Sequence, residues 1–355
     1  MRPQGQEFEV FLGKYRQGAD ARELAKDYGV VYETIGDWAN AAGVFRPKDV
    51  RVLAAEKATN KIPDVLPAPK ITLMRPPKYK GKRKAQVQVL MLSDTHAGTS
   101  TPSYNPDVYK QRMKNLFNNL CLIRLLQSEQ HPLEKLVIFD LGDDVQGENV
   151  GFQMDLDQFI MPVFNQVFDL WLPTMQDFLV SLLQVYRSIE YYGVRGNHGK
   201  LGKRVSTKVS NWDAVAQRSL KMALANYKEI SFTLQHNTFY LKAEVLGWQY
   251  LLTHGDVIKM NYTLPYYGID RKTSRWAHEV GPVDVFCVGH FHSPFRLRPW
   301  GKPLLGNGCF PTDDEYAIST IGISGDPVQV TFGVHPERSI SWIYELDLGI
   351  TEVVI

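Results

Sequence analysis

The sequence predicts a layered α/β domain behind a small all-α module. Two observations carry the larger domain. From about residue 85, short apolar runs alternate with amphipathic helical stretches, and after residue 228 the runs follow one another as strands; this is the pattern of sheets and helices packed in layers. Five of these runs end in loops rich in Asp, Asn, His and Gly. The third observation concerns the first 45 residues, which read as short helices.

The elements follow in order. Arg22 to Val30, then Ile35 and Trp38, resemble a helix-turn-helix: Ala25 at the helix crossing, Gly29 in the turn, and Leu24, Val30, Ile35 and Trp38 in the core. The second helix, about Tyr32 to Ala42, is the one that would enter a major groove. It carries Glu33 and Asp37 and no Lys or Arg, and residues 1–50 hold seven basic against eight acidic side chains. DNA reading and protein docking therefore both stay open for residues 1–45. Residues 46–84 read as an extended Pro-rich linker. From Arg51 to Lys84 there are ten Lys or Arg against Glu56 and Asp64, a net +8, which supplies basic charge beside the helices.

Residues 85–355 form the third segment. Val87 to Leu92 is a strand. Asn105-Pro106 opens a helix, with Asn as cap and Pro in the first turn; Tyr109, Met113, Leu116, Leu120 and Ile123 mark its apolar face. Leu136 to Phe139 is wholly apolar, as a strand buried on both faces is. Residues 157–187 are mostly helical, with breaks expected near Pro162 and Pro173. Ile189–Val194, Ser231–Leu234, Phe239–Val245, Tyr250–Thr253, Val283–Val288, Gln329–Val334 and Ser341–Leu346 read as strands.

The composition is that of an ordinary folded chain: 355 residues, 44% hydrophobic, net charge +2. Cys121, Cys287 and Cys309 are widely spaced and odd in number, which argues against a disulfide framework or a thiolate zinc site. The N-terminus, Met1 to Glu7, has no signal-like apolar run. The most apolar stretch, Phe168 to Val185, is broken by Asp169, Pro173, Gln176, Asp177 and Gln184, too polar to span a membrane. A cytoplasmic protein is expected, with no membrane partner; a homodimer is allowed.

The five loops are Asp94-Thr95-His96, Gly142-Asp143-Asp144, Gly196-Asn197-His198, His254-Gly255-Asp256 and Gly289-His290-Phe291-His292. Singly, each is an ordinary turn signal. Together they deliver imidazole, carboxylate and amide groups past successive strands, where α/β sheets bind ligands. Nitrogen and oxygen donors without thiolate suit Mn²⁺, Fe, Zn²⁺ or Mg²⁺.

This order of motifs is similar to the calcineurin-like metallophosphoesterase superfamily over roughly residues 85–310. The resemblance implies a two-sheet β-sandwich flanked by helices, and two divalent metal ions, Mn²⁺ first among the candidates. It implies Asp94, His96 and His292 on one ion, Asn197, His254 and His290 on the other, and Asp143 between them. His198 would be no ligand but would sit near the scissile phosphate as proton donor or transition-state stabiliser. Two cations about 3.5–4 Å apart can clamp a phosphate and lower the pKa of water. Two departures stand out. The Asp-Arg pair of the family's Gly-Asp-x-x-Asp-Arg-Gly motif is absent from Gly142 to Gly147, which argues against a protein phosphatase. Gly199 follows His198 where Glu or Asp is common; a small tuning effect on His198 is expected.

Lys200, Lys203, Arg204 and Lys208 follow the third motif and could track a phosphate backbone. Asn261 to Trp276 places Tyr262, Tyr266, Tyr267 and Trp276 among Arg271, Lys272 and Arg275, a loop suited to base stacking. An enzyme joined to a helix-turn-helix points to DNA, single- or double-stranded; it resembles the SbcD-type DNA-repair nucleases and proteins encoded by bacteriophages, in which case the host cytoplasm is its place. A DNA nuclease, exo- or endonucleolytic, is the leading expectation. A phosphatase or phosphodiesterase for a small nucleotide is the second. A DNA-binding regulator or assembly factor with a vestigial enzyme domain is the third.

Overall fold

The computed structural model describes residues 3, 6–16, 21–41, 83–148, 161–201, 210–259, 266–313 and 325–349. The chain divides into two compact units, residues 1–64 and 65–355. The linker read over 46–84 lies outside the described residues except for Arg83 and Lys84.

The first unit has three helices: α1 (Gln6–Arg16), α2 (Ala21–Asp27) and α3 (Tyr32–Ala41). Its core is Phe11, Leu12, Tyr15, Leu24, Ala25, Ile35 and Ala39, with Val30 and Trp38 packed against it. Phe11 is the centre: Tyr28 and Trp38 meet its ring edge-on at 5.4 and 5.8 Å. Gly29 takes φ +61° in the turn between α2 and α3, a left-handed conformation that costs glycine little.

The second unit is built on two sheets. The elements are β1 (Val87–Leu92), α4 (Pro106–Ser128), β2 (Lys135–Asp140), α5 (Leu172–Leu182), β3 (Ser188–Val194), α6 (Trp212–Ala223), β4 (Ile230–Gln235), β5 (Leu241–Val245), β6 (Trp248–Thr253), α7 (Tyr266–Glu279), β7 (Val285–Val288), β8 (Phe295–Leu297), β9 (Leu304–Gly306), β10 (Val328–His335) and β11 (Arg338–Asp347). The six-stranded sheet runs β11-β10-β1-β2-β3-β4 and the five-stranded sheet β5-β6-β7-β9-β8. β1 to β4 are mutually parallel, and so are β6, β7 and β9.

Alternation along each strand assigns the layers. Val89, Met91, Val137 and Phe139 face Tyr250, Leu252, Val285 and Cys287 in the core between the sheets. Leu90, Leu92, Leu136 and Ile138 face the other way, onto the α4, α5 and α6 residues Leu116, Leu179 and Leu220. Leu251, Phe286 and Val288 cover Ile269 and Trp276 of α7. The result is a two-sheet sandwich with helices on both outer faces, as expected.

Several elements differ in detail. The 157–187 stretch is described from residue 161: a short α turn at Val163–Asn165, a π-helical stretch at Gln166–Trp171, then α5. Pro173 does not break the helix: it lies in the first turn of α5, directly after the π-helical stretch that ends at Trp171. The stretch from Tyr266, expected as a loop, is the helix α7; Ile269, Thr273 and Trp276 form its buried face. No described helix is long and apolar enough to cross a membrane.

Candidate metal centre

The five motifs sit past the carboxyl ends of β1, β2, β3, β6 and β7, all parallel to a neighbour in their own sheet. Glycines let the loops close on one another. Gly142 has φ +88°, and any Cβ there would collide with the Gly196 backbone, while a Cβ on Gly196 would collide with Asp143. The two Gly-Asp/Asn motifs therefore need glycine at both positions.

The candidate ligands converge in two groups. In the first, His96 Nε2 lies 3.2 Å from His292 Nε2, and Asp94 Oδ1 lies 3.4 Å from His292 Nε2 and 3.9 Å from His96 Nε2. In the second, His254 Nε2 lies 2.9 Å from Asp143 Oδ2, 3.0 Å from Asn197 Oδ1 and 3.2 Å from His290 Nδ1. Asp143 also falls within a further group with His96 and His198, so it stands between the two. Each group can hold a cation, and all seven ligands expected from the sequence are assembled.

Three observations test the fit of this donor set to metal. The first is that Asp94 Oδ1 and Asp143 Oδ2 are buried and faced by ring nitrogens, His292 Nε2 at 3.4 Å and His254 Nε2 at 2.9 Å, a costly state for a carboxylate unless a protonated ring or a cation serves it. The second is that the ring orientations are fixed from behind. His96 Nδ1 bonds Gln146 Oε1 at 2.8 Å and His254 Nδ1 donates to the Leu141 carbonyl at 2.9 Å, leaving Nε2 free to ligate. The third is backbone strain. Asp94, His96, Asp143, His290 and His292 all have φ between +42° and +70°, a region that costs side chains of this kind about 1–3 kcal/mol each. Such strain concentrates where geometry serves function.

The electrostatics agree. Burial alone would lower His254, but the charges of Asp143, Asp94 and Asp256 outweigh it and raise the group to about 10. His292 is likewise raised against its burial, by Cys309 and Asp94. Asp94 and Asp143 resist their burial and stay below the usual carboxylate range because imidazoles face them. The carboxylates thus draw protons onto two imidazoles, the positive charge that cations would supply. Burial lowers His96 and His198, and His290 to about 4.

His198 borders both groups. Its Nε2 is 3.9 Å from Asp143 Oδ2, its ring is 20% exposed, and it meets the His96 ring edge-on at 4.4 Å. Its backbone N–H donates to Asp143 Oδ1 at 2.8 Å, while its Nδ1 has no partner among the described residues. Gln146, where the family's motif has its second Asp, is committed to His96.

The residues expected to bind substrate are placed unevenly. Lys203, Arg204 and Tyr262 lie outside the described residues. Lys200 pairs with Asp256 at 3.0 Å, which joins the loops after β3 and β6 and offsets its charge. Tyr266 and Tyr267 are exposed, 50% and 66%, at the start of α7.

Sequence reasoning missed what lies beneath the centre. Asp140, Asp144 and Asp213 are buried together, with Tyr191 donating to Asp140. The Gln217 Nε2 amide donates to Asp140 Oδ2 at 3.1 Å and to Asp144 Oδ2 at 2.9 Å, and His236 bonds Gln217 Oε1 at 2.8 Å. Burial raises Asp140 to about 6 and Asp213 to about 7. Asn211-Trp212-Asp213, a cap followed by an acid, was the available signal.

An α/β sandwich with metal-ligand groups at the carboxyl edge of its parallel strands defines the class: a metal-dependent hydrolase. Residues 87–294, more than half of the chain, match the family model for calcineurin-like phosphoesterases. The chain belongs to that family. Divalent cations held by these residues would neutralise phosphate charge and make water a stronger acid. Solved structures similar to the chain include an archaeal phosphodiesterase, at 12% identity over 73% of this chain and 98% of that chain, TM-score 0.34. A hypothetical protein from Pyrococcus horikoshii is 12% identical over 74% and 87%, TM-score 0.36. Vps29 from Entamoeba histolytica, complexed with Zn²⁺, is 10% identical over 74% and 99%, TM-score 0.31. No curated protein matches the chain.

Proposed function

We propose that the protein is a Mn²⁺-dependent phosphodiesterase acting on nucleic acid, a DNA nuclease. The observation that carries the substrate class is a line of aromatic rings leading away from the centre. His290 meets Phe291 at 5.5 Å, Phe291 meets Phe295 at 5.8 Å, and Phe295 meets Tyr266 at 6.4 Å. The line ends at the exposed Tyr266, beside the exposed Tyr267. Phe291 and Phe295 belong to the core beneath α7, so the two tyrosines are the rings open to a base, with Arg271 exposed on α7, Arg296 on β8 and Arg298 just beyond it. Aromatic faces stack bases and guanidinium groups hold phosphates, a combination that suits a single strand.

In this reading Asp94, His96 and His292 would hold one cation, Asn197, His254 and His290 would hold the other, and Asp143 would serve both. His198 hands a proton to the leaving oxygen or stabilises the charge that develops on it. The first unit, with its own aromatic core, docks DNA or a protein partner.

The test is to incubate purified protein with Mn²⁺ and single-stranded DNA, double-stranded DNA or an aryl phosphodiester. The reading expects cleavage of DNA as well as of the ester. Turnover of the ester with no DNA cleavage under any divalent metal would assign a small-nucleotide phosphoesterase instead. Turnover of neither would assign a binding protein with a retired centre.

A further inference from the structure

Asp213 stands at the second position of α6 and is fully buried. Its Oδ2 accepts the backbone N–H of Gly196 at 2.7 Å and of Asp143 at 3.2 Å. Its Oδ1 accepts the N–H of Asp144 at 3.2 Å. One carboxylate therefore grips the loop that carries Asp143 and the loop that carries Asn197 and His198. Asn211, the cap of the same helix, closes the arrangement: it donates to the Gly196 carbonyl at 3.0 Å and accepts from the Asp213 N–H at 2.8 Å.

Position 199 fits this picture. A Cβ on Gly199 would meet Asn211 Oδ1 at 2.6 Å and the Asp213 nitrogen at 2.9 Å. The start of α6 fills the space that a side chain following His198 would need. The third motif carries no side chain there, and the helix that takes its place brings Asp213 to the amides of Gly196, Asp143 and Asp144.

We infer that Asp213 is a positioning residue, which sets the spacing between Asp143 and the Asn197–His198 pair and so the geometry of the second cation group. It touches neither substrate nor metal. It acts through backbone amides, as groups behind metal ligands commonly do. A neutral amide in its place would keep one oxygen for Gly196 and Asp143 and turn an N–H donor towards the N–H of Asp144. Alanine would leave all three amides buried without an acceptor.

The inference rests on the metal centre and not on DNA as substrate, so the experiment uses Mn²⁺ and an aryl phosphodiester. Asp213→Asn and Asp213→Ala are compared with the unmodified protein by calorimetric titration with Mn²⁺, by thermal melting and by kinetics. The expected result is an affinity about 10- to 100-fold weaker for Mn²⁺, a lower kcat with KM little changed, and Asp213→Asn intermediate between the other two. An acid that serves only to start a helix would lower the melting temperature and leave Mn²⁺ affinity and kcat unchanged, and that result would overturn the inference. If neither variant folds, hydrogen exchange on the unmodified protein without metal decides. Slow exchange at the amides of Asp143, Asp144 and Gly196 supports it, and free exchange there until metal is added refutes it.

Discussion

The Oδ2 atom of Asp143 lies 2.9 Å from Nε2 of His254, while the Nδ1 of the same ring is held by the Leu141 carbonyl. A buried carboxylate oxygen faced by ring nitrogens and an amide oxygen is arranged for a cation, not for a neutral contact. Asp143→Asn should therefore lose metal and turnover together. The fold should persist, because the backbone N–H and C=O bonds of residue 143 to Asp213 and His96 do not involve its side chain. Metal analysis and circular dichroism on the variant check this; retained activity would show that Asp143 is not the shared group.

His198 borders both ligand groups, and both are complete without it. His198→Ala should keep both metals and turn over phosphodiesters about 10²–10⁴-fold more slowly if the ring is a general acid. The loss should shrink on aryl esters, whose leaving groups need little protonation. A fall in metal content with the substitution would make His198 a ligand.

His236 makes stability depend on pH at a distance from the metals. Burial first, then the charges of Arg218 and Arg195, lower it to about 4. The unfolded chain, with its histidine near 6.5, binds the proton more readily, so this contribution to stability is complete above 6.5 and is lost as pH falls through about 4. Melting temperatures of metal-free protein should drop over that window, and His236→Gln should flatten the drop. Identical pH profiles for the two proteins would contradict the assignment.

The ring line makes the substrate testable. Tyr266→Ala should weaken single-stranded DNA binding by about 1–3 kcal/mol. Arg296→Ala should reduce the log–log salt slope by about 0.7 if it holds a phosphate of a single strand. Lys203→Ala and Arg204→Ala should act likewise if their loop tracks the backbone. None should alter an aryl ester, which needs only the centre. Equal losses on both substrates would place these residues in the structure of the site and not in DNA binding.

Much of the centre was legible because its chemistry is local. Each ligand follows a strand whose apolar run shows in the sequence, and Val87–Leu92 is the observed β1 without change. The Gly142–Gly196 contact was not legible as a contact, but its glycines marked both motifs. What stayed hidden comes from across the fold. Asp213 and Gln217 lie four residues apart on one face of α6, and nothing in their spacing says that this face meets Asp140 and Asp144. The α7 segment, expected as a loop, is a helix because Ile269, Thr273 and Trp276 step at helical spacing and pack under the second sheet, a short pattern diluted in the sequence by exposed aromatic and basic residues. β8 and β9, three residues each, are too short for alternation to register.

The most direct test of the account is a Mn²⁺ titration of metal-free protein followed by electron paramagnetic resonance. Two ions held within about 4 Å through one carboxylate should bind at two per chain and give a spin-coupled spectrum, and Asp143→Asn should abolish the coupling. A stoichiometry of one, or two ions with uncoupled spectra, would contradict the dinuclear centre on which the rest depends.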